Sequence, residues 1–232
     1  MVGYRLISGD SLLKTRSFCP SCKQTIAWYD LIPLASWLLL KGKCRLCSAP
    51  ISWLYFFIEA VSAVSLSALF FFKQTVHFPL YFMFFSALII TIRTDFEHML
   101  ISRYVTLFLL PMVFGASFFG YLPVTLIESL LGAVSAYLFL YIINFLFFAC
   151  TQKVGLGQGD GELLAFIGAC IGITGWWITL LVGSLLGSCY GILYIVITQQ
   201  NRYAKIPFGP FLAFGAMLYC IFEHQVRTIL GL

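Results

Sequence analysis

Two aspartates in apolar sequence are the residues best suited to chemistry in this chain. Asp160 lies in the polar run 157–162, and Asp95 ends an apolar stretch that begins at Phe78. A charged side chain costs roughly 2.5–3.5 kcal/mol at the centre of a membrane helix, so carboxylates in such a sequence are candidates for function. Two neighbouring carboxylates share a proton, and one then acts as general base for a water while the other acts as general acid. Such a pair hydrolyses peptide bonds without a metal or a covalent intermediate.

Glycines surround the second aspartate. Gly157, Gly159 and Gly161 have no side chains, so their backbone can approach an extended substrate closely and unwind where it lines a cavity. We therefore expect these three glycines to bind substrate beside Asp160.

The alternative is that both aspartates are ordinary interfacial residues. In that interpretation the glycine run is a tight turn, and Asp160 is a helix N-cap favoured by the helix dipole. Asp95 would then pair with Arg93 or Arg103.

Four cysteines near the start of the chain have the spacing of a metal site. Cys19 and Cys22 form one C-x-x-C pair, Cys44 and Cys47 form another, and 21 residues separate the two pairs. This spacing predicts a four-thiolate zinc site, which is structural because four protein ligands leave no open position for chemistry. Two disulfides or a redox pair are the alternatives, and a reducing compartment favours the metal.

The composition requires these residues to be positioned by membrane helices. The chain has 232 residues, 61% of them hydrophobic and 10% charged, with a mean hydropathy of +0.96. Its apolar runs are long and continuous rather than alternating, which predicts an all-α polytopic bundle in a lipid bilayer and not a barrel. About seven spans are expected, at 54–72, 78–94, 104–121, 127–150, 163–175, 177–198 and 207–222.

Two regions follow from this pattern. Residues 1–53 are expected to form a small zinc-knuckle region, and residues 54–232 the transmembrane domain that holds the aspartates. The start of the chain lacks the apolar core of a cleavable signal peptide. On the sixth span, Gly183, Gly187 and Gly191 repeat every four residues, which predicts a face for close helix packing.

Basic residues predict the orientation of the chain in the membrane. With the N-terminal region in the cytoplasm, twelve of the 14 lysines and arginines fall on the cytoplasmic side. Positive residues accumulate on that side in membrane proteins. Both aspartates and both cysteine pairs then face the reducing cytoplasm, and the net charge of +5 reports topology rather than a nucleic-acid partner.

Six motifs in this order resemble the type IV prepilin peptidases, bacterial aspartic proteases of the inner membrane with a GxGD motif. The resemblance covers nearly the whole chain and rests on residues 16–22, 32–37, 42–47, Asp95 with Ile101, 157–164 and 206–211. It implies that Asp95 and Asp160 are catalytic. It also implies cleavage, after a glycine, of the basic leader of type IV prepilins or type II secretion pseudopilins at the cytoplasmic face. In many members the new N-terminus is then methylated from S-adenosylmethionine.

The sequence departs from the family pattern in three places. The chain begins just before Tyr4, near the end of the family's first membrane helix, so seven spans are expected where the family usually has eight. Ser102 replaces a proline, which makes the turn after Asp95 less rigid. Glu162 stands where the family usually has lysine.

Two other functions compete with the peptidase. A transporter would use Asp95 and Asp160 to carry protons or cations, although such carboxylates are expected near the bilayer midplane rather than at one interface. A membrane scaffold would use the zinc knuckles alone and would not need the aspartates.

Overall fold

The chain folds into seven α-helices in a computed structural model that describes residues 17–72, 77–152, 155, 157–199 and 206–231. The helices are α1 (Ala35–Leu39), α2 (Trp53–Phe72), α3 (Phe78–His98), α4 (Arg103–Phe118), α5 (Leu126–Thr151), α6 (Gln158–Thr198) and α7 (Gly209–Leu230). A single 3-10 turn covers Trp28–Leu31, and the described residues form isolated β-bridges but no strand. The predicted all-α class is therefore confirmed.

Four of these helices are long and apolar enough to cross a membrane: α2, α3, α5 and α6. Helix α4 is apolar but has only 16 residues, and α7 carries Glu223 and Arg227 in its second half. The chain is thus a membrane protein by its helices, whereas the count of about seven spans stays a prediction.

One boundary predicted from the sequence is wrong. Residues 163–175 and 177–198 are predicted as separate spans, and α6 consists of two helical segments that are joined at a kink. The helix is interrupted at Gly172, where φ is 74° and ψ is −174°. Only glycine adopts this backbone readily, so α6 changes direction there and not at the Gly175–Trp176 position that the hydropathy pattern indicates.

The chain divides into two compact units, Met1–Ser65 and Leu66–Leu232. The first contains the cysteine pairs and the start of α2, and the second contains both aspartates. The boundary predicted at residue 53 stays a prediction.

Within the second unit, glycines let the backbones of α5 and α6 touch. A methyl group on Gly132 would collide with the carbonyl of Gly168, and one on Gly168 would collide with the carbonyl of Gly132. The Ser129 hydroxyl donates a hydrogen bond of 2.7 Å to the carbonyl of Ala169 beside this crossing. Lipid tails are as apolar as the side chains of the helices, so close packing of this kind holds membrane helices together.

Helices α6 and α7 pack through the glycine face that the sequence predicts. The position of a Cβ on Gly183 lies 3.0 Å from the backbone carbonyl oxygen of Phe211. Gly187 faces the aromatic ring of the same phenylalanine. Gly191 faces Ile206, which precedes α7. The prediction of close packing on this face is confirmed, and it brings the start of α7 to the side of α6.

Candidate active site

Asp95 lies in the last turn of α3 and is only 5% exposed. Its Oδ2 atom accepts a hydrogen bond of 3.0 Å from the backbone N–H of Gly209, the first residue of α7. The N–H groups of a first helical turn have no partner inside the helix, and they carry the positive end of the helix dipole. The start of α7 therefore holds one carboxylate oxygen of Asp95 in a fixed position.

Asp160 is also buried, with 8% of its surface exposed. It is the third residue of α6, because that helix begins at Gln158 with Gly157 as its N-cap. The run 157–162 is therefore the first turn of a helix and not an open loop, and Asp160 is not the N-cap. An acidic residue in this turn is favoured by the dipole of α6, just as the dipole of α7 favours the carboxylate of Asp95.

Ile101 joins the two aspartate-bearing segments. It lies in the connection between α3 and α4, and its Cβ atom is 2.9 Å from where a Cβ on Gly159 would be. Its Cδ1 atom is 3.1 Å from the corresponding position on Gly209. One side chain thus packs against the neighbour of Asp160 and against the residue that donates to Asp95. The two carboxylates are close enough for the negative charge of Asp95 to act on Asp160.

The two arginines that the sequence offers as partners of Asp95 form ion pairs with glutamates. Arg93 forms an ion pair of 3.3 Å with Glu97, one turn further along α3. Arg103 forms an ion pair of 3.0 Å with Glu162 in α6. In the part of the chain that the structure describes, the ion pairs of these two arginines are thus with glutamates.

The three glycines near Asp160 differ in what surrounds them. A Cβ on Gly157 would lie 3.2 Å from an oxygen of Asp160, and one on Gly159 would overlap Ile101. A Cβ on Gly161 would make only an ordinary contact of 3.7 Å with Tyr137. Packing against Ile101 thus explains Gly159, and the predicted substrate-binding role of all three glycines stays a prediction.

In the first unit, the two C-x-x-C segments form knuckles of the same geometry. The N–H of Lys23 donates to the carbonyl of Cys19, and the N–H of Ser48 donates to that of Cys44, each over 2.9 Å. Lys23 and Ser48 occupy equivalent positions, and both have left-handed backbone, with φ of 59° and 55°. Each knuckle is closed by one β-bridge, Phe18 with Thr25 and Lys43 with Pro50.

These knuckles bring the four cysteine sulfurs together. The Sγ atoms of Cys19, Cys22, Cys44 and Cys47 all lie within 4.8 Å of one another, and those of Cys19 and Cys47 are 3.9 Å apart. Four sulfurs at 2.3 Å from a tetrahedral zinc ion are about 3.8 Å apart, so the donor set fits that metal. The cysteines form no disulfide. The backbone N–H groups of Cys22 and Ser21 lower the pKa of the Cys19 thiol, whereas burial and hydrogen bonds to the neighbouring thiols raise the pKa of the Cys47 thiol. The thiolate form, which binds metals, is therefore favoured at Cys19 and not at every cysteine of the cluster.

Three residues near the aspartates were not predicted as site residues. Gly209 was noted only within the motif 206–211, although a glycine followed by proline often begins a helix. Ile101 enters the sequence analysis only as part of the first aspartate motif, and Arg103 only as an alternative ion-pair partner of Asp95. Their contacts are with residues more than 50 positions away, which no local pattern reveals.

Comparison with known proteins identifies the family. A model described as "Type IV leader peptidase family" matches residues 82–192, and one described as "Bacterial Peptidase A24 N-terminal domain" matches residues 1–73. The matched segments contain Asp95, Asp160 and the four clustered cysteines.

Curated relatives carry the same assignment over most of the chain. A "Prepilin leader peptidase/N-methyltransferase" of Aeromonas salmonicida is 35% identical over 93% of this chain and 74% of its own length. Proteins of the same name from Bacillus subtilis and Pseudomonas aeruginosa are 33% and 34% identical, over 93% and 95% of this chain and 85% and 76% of their own lengths. No significant match was found among solved structures. The transporter alternative finds no support in these matches, and the chain belongs to the type IV leader peptidase family of membrane peptidases.

Proposed function

We propose that Asp95 and Asp160 form the catalytic pair that removes the basic leader peptide from a type IV prepilin or a type II secretion pseudopilin. The observation that carries this proposal is the convergence of two buried carboxylates around Ile101, one in the last turn of α3 and one in the first turn of α6. Membership of the family supports hydrolysis of a peptide bond as the reaction. The positions of the two carboxylates support Asp95 and Asp160 as its catalytic residues.

The proposed reaction needs one proton shared between the two carboxyl groups. The ionised carboxylate takes a proton from a water molecule, whose oxygen then forms a bond to the scissile carbonyl carbon. The protonated carboxyl group stabilises the carbonyl oxygen and then gives its proton to the leaving nitrogen as the carbon–nitrogen bond breaks. The products are a new carboxyl terminus on the leader and a new amino terminus on the mature protein.

The two aspartates are held differently, which suits them to different roles. Asp95 accepts the N–H of Gly209, so its carboxylate is oriented before substrate arrives. The side chain of Asp160 lies against the backbone of Gly157, on a turn where Gly157, Gly159 and Gly161 add no side chains. We propose that this turn receives the extended segment around the scissile bond.

The substrate and the location of the enzyme follow from charge. A leader with basic residues followed by an apolar helix would insert into the bilayer with its positive end on the cytoplasmic side. The distribution of lysine and arginine in this chain favours the same side for both aspartates. We therefore place the enzyme in the bacterial inner membrane, with its N-terminal region and catalytic pair facing the cytoplasm.

Zinc is the proposed metal of the cysteine cluster. Cys19, Cys22, Cys44 and Cys47 would hold it as four thiolates, and it would stabilise the fold of the knuckles rather than take part in hydrolysis. Methylation of the new N-terminus from S-adenosylmethionine is proposed from the names of the relatives, and we assign no residue of the chain to that activity.

The decisive experiment uses purified protein and a synthetic prepilin-like leader peptide, with mass spectrometry of both products. Wild-type protein should cleave the peptide after a glycine, and added S-adenosylmethionine should increase the mass of the C-terminal product by one methyl group. Asp95→Asn and Asp160→Asn should each lower the cleavage rate by at least about 10²–10⁴-fold, the usual contribution of a general acid or base.

Glu128→Gln is the matched control. Glu128 lies at the start of α5, where it completes a capping box with Thr125, and glutamine preserves that box. This variant should cleave as the wild type does. Normal cleavage by either aspartate variant would contradict the assignment. Proton or cation flux in liposomes that depends on both aspartates would instead support a transporter.

A further inference from the structure

An ion pair on the side of the α6 turn away from Asp160 links that turn to α4. The Nε atom of Arg103 lies 3.0 Å from Oε1 of Glu162, and its Nη2 atom donates to Oε1 of Gln158 over 3.1 Å. Gln158 and Glu162 are four residues apart and share one face of the helix, whereas Asp160 lies between them and points elsewhere. One guanidinium group thus holds the turn from the side opposite the aspartate.

The two side chains of this ion pair differ in exposure, and the buried one, Glu162, depends on Arg103 for compensation of its charge. The side chain of Glu162 is 11% exposed, and that of Arg103 is 60% exposed. The second carboxylate oxygen of Glu162 is buried and has no hydrogen-bond partner among the residues that the structure describes. Without the guanidinium, a buried carboxylate would be left uncompensated beside the site, which is strongly unfavourable.

The location of Arg103 is not explained by its own helix. Arg103 is the first residue of α4, where the helix dipole disfavours a positive charge. It also follows Ile101 by two residues, so the ion pair and the Ile101 contact fasten the same short connection to the same turn of α6. That connection begins four residues after Asp95.

We propose that Arg103 is a positioning residue of the catalytic site. By holding Gln158 and Glu162, it fixes the turn that carries Asp160 against the segment that follows Asp95, and so sets the spacing of the two carboxylates. The proposal rests on the function proposed above. It does not require Arg103 or Glu162 to contact substrate. It requires that their charges be opposite and that the cation at position 103 contact both Gln158 and Glu162.

The test measures kcat and KM of five variants with the synthetic leader peptide. Arg103→Ala should lower kcat by about 10²-fold, because small displacements of catalytic groups have effects of that size, and KM should change little. Arg103→Glu and Glu162→Arg should each be impaired, whereas the double variant that exchanges the charges should recover at least about tenfold over the worse single variant. Arg103→Lys should have an intermediate kcat. A lysine keeps the charge but lacks the planar group of N–H donors that lets arginine bind Glu162 and Gln158 at once.

Arg227→Ala is the matched control. Arg227 forms an ion pair of 3.1 Å with Glu223, with side-chain exposures of 45% and 13%, near the end of α7 that is far from Asp95. An ion pair of similar length and burial is thus broken away from the site, and kcat should be unchanged.

Hydrogen exchange provides a readout that does not need activity. In Arg103→Ala the amides of residues 157–164 should exchange faster than in wild type, while Arg227→Ala should leave them unchanged. Wild-type kcat and exchange in Arg103→Ala would overturn the proposal, as would a double variant no better than the single ones or an effect confined to KM. If wild-type protein fails to cleave the peptide, the proposed function is refuted, and the exchange rates alone decide whether the ion pair orders this turn.

Discussion

At the scale of single residues, the site depends on backbone groups as much as on the aspartates. Asp95 receives the N–H of Gly209, and Asp160 lies within the first turn of α6. Each carboxylate is therefore near the positive end of a different helix. A buried carboxylate needs such partners, because an unpaired one is costly in an apolar environment.

Gly209→Ala is the sharpest test of this backbone contact. The added Cβ would lie 2.8 Å from Oδ2 of Asp95 and 3.1 Å from Cδ1 of Ile101, so the carboxylate must move. We expect cleavage of the leader peptide to fall about 10²-fold, as for other small displacements of catalytic groups.

The control for this variant is Gly115→Ala in α4. No atom lies within 4 Å of the position of its added methyl group. Alanine favours a helix over glycine by about 1 kcal/mol, so this protein should be at least as stable as wild type and fully active. Equal activity of the two variants would show that the Gly209 contact does not orient Asp95.

Glu162 is the residue of the aspartate turn that departs from the family pattern, which usually has lysine there. In this chain its charge is balanced by Arg103. The departure is thus accompanied by a cation on the neighbouring helix and leaves no uncompensated charge beside Asp160.

At the scale of elements, the two knuckles repeat one geometry. Each has a cysteine carbonyl that accepts an N–H four residues later, a left-handed residue at that fourth position and one closing bridge. The metal would be bound by both knuckles at once, so binding and folding of this region should be coupled.

Cysteine substitutions test this coupling. Cys19→Ser with Cys44→Ser should remove the metal, because two of four thiolates are lost, and elemental analysis should fall from about one zinc per chain to none. Cys189→Ser, which replaces an exposed cysteine of α6 outside the cluster, should retain the full metal content. A wild-type preparation without metal and with four reactive thiols in the cluster would contradict the site.

The crossing of α5 and α6 makes a second prediction at this scale. Gly168→Ala places a methyl group against the backbone of Gly132, so the two helices must separate. Overpacking of this kind costs about 1–3 kcal/mol in the free energy of unfolding. Thermal unfolding in detergent should show a lower midpoint for this variant, while Gly115→Ala should show none of this loss.

At the scale of the whole molecule, the membrane determines where charged residues are placed along the chain. Four helices are long and apolar enough to span it, and most of the basic residues fall in the segments that the charge rule assigns to the cytoplasm. Orientation decides whether the aspartates meet a leader that stays on that side.

Cysteine labelling tests the orientation directly. Met99→Cys and Tyr121→Cys place a thiol at exposed positions at opposite ends of α4, in a background where Cys150 and Cys189 are serine. A membrane-impermeant maleimide should label the protein with Cys at position 121 in intact cells. It should reach position 99 only after the membrane is permeabilised. The reverse pattern would place the aspartates on the outer side and contradict the proposed location.

Much of this architecture follows from local sequence. Hydropathy gave 54–72 and 127–150 as spans, and the helices run over Trp53–Phe72 and Leu126–Thr151. Hydropathy does not register backbone direction, so it divided α6 at Gly175–Trp176, although the interruption is at Gly172. It also counted seven spans, a number that the length and apolarity of the helices do not establish.

The sequence by itself determined the all-α membrane class, the two C-x-x-C pairs and the two aspartates, because apolar length, thiol spacing and charge in an apolar run are local properties. Only the tertiary structure decided how these residues are held. Gly209, Ile101 and Arg103 each act on groups that lie far away in the chain, at 95, 159 and 162. Such contacts depend on where the ends of α3, α6 and α7 meet, and that meeting is set by glycine-mediated packing of whole helices and not by any one motif.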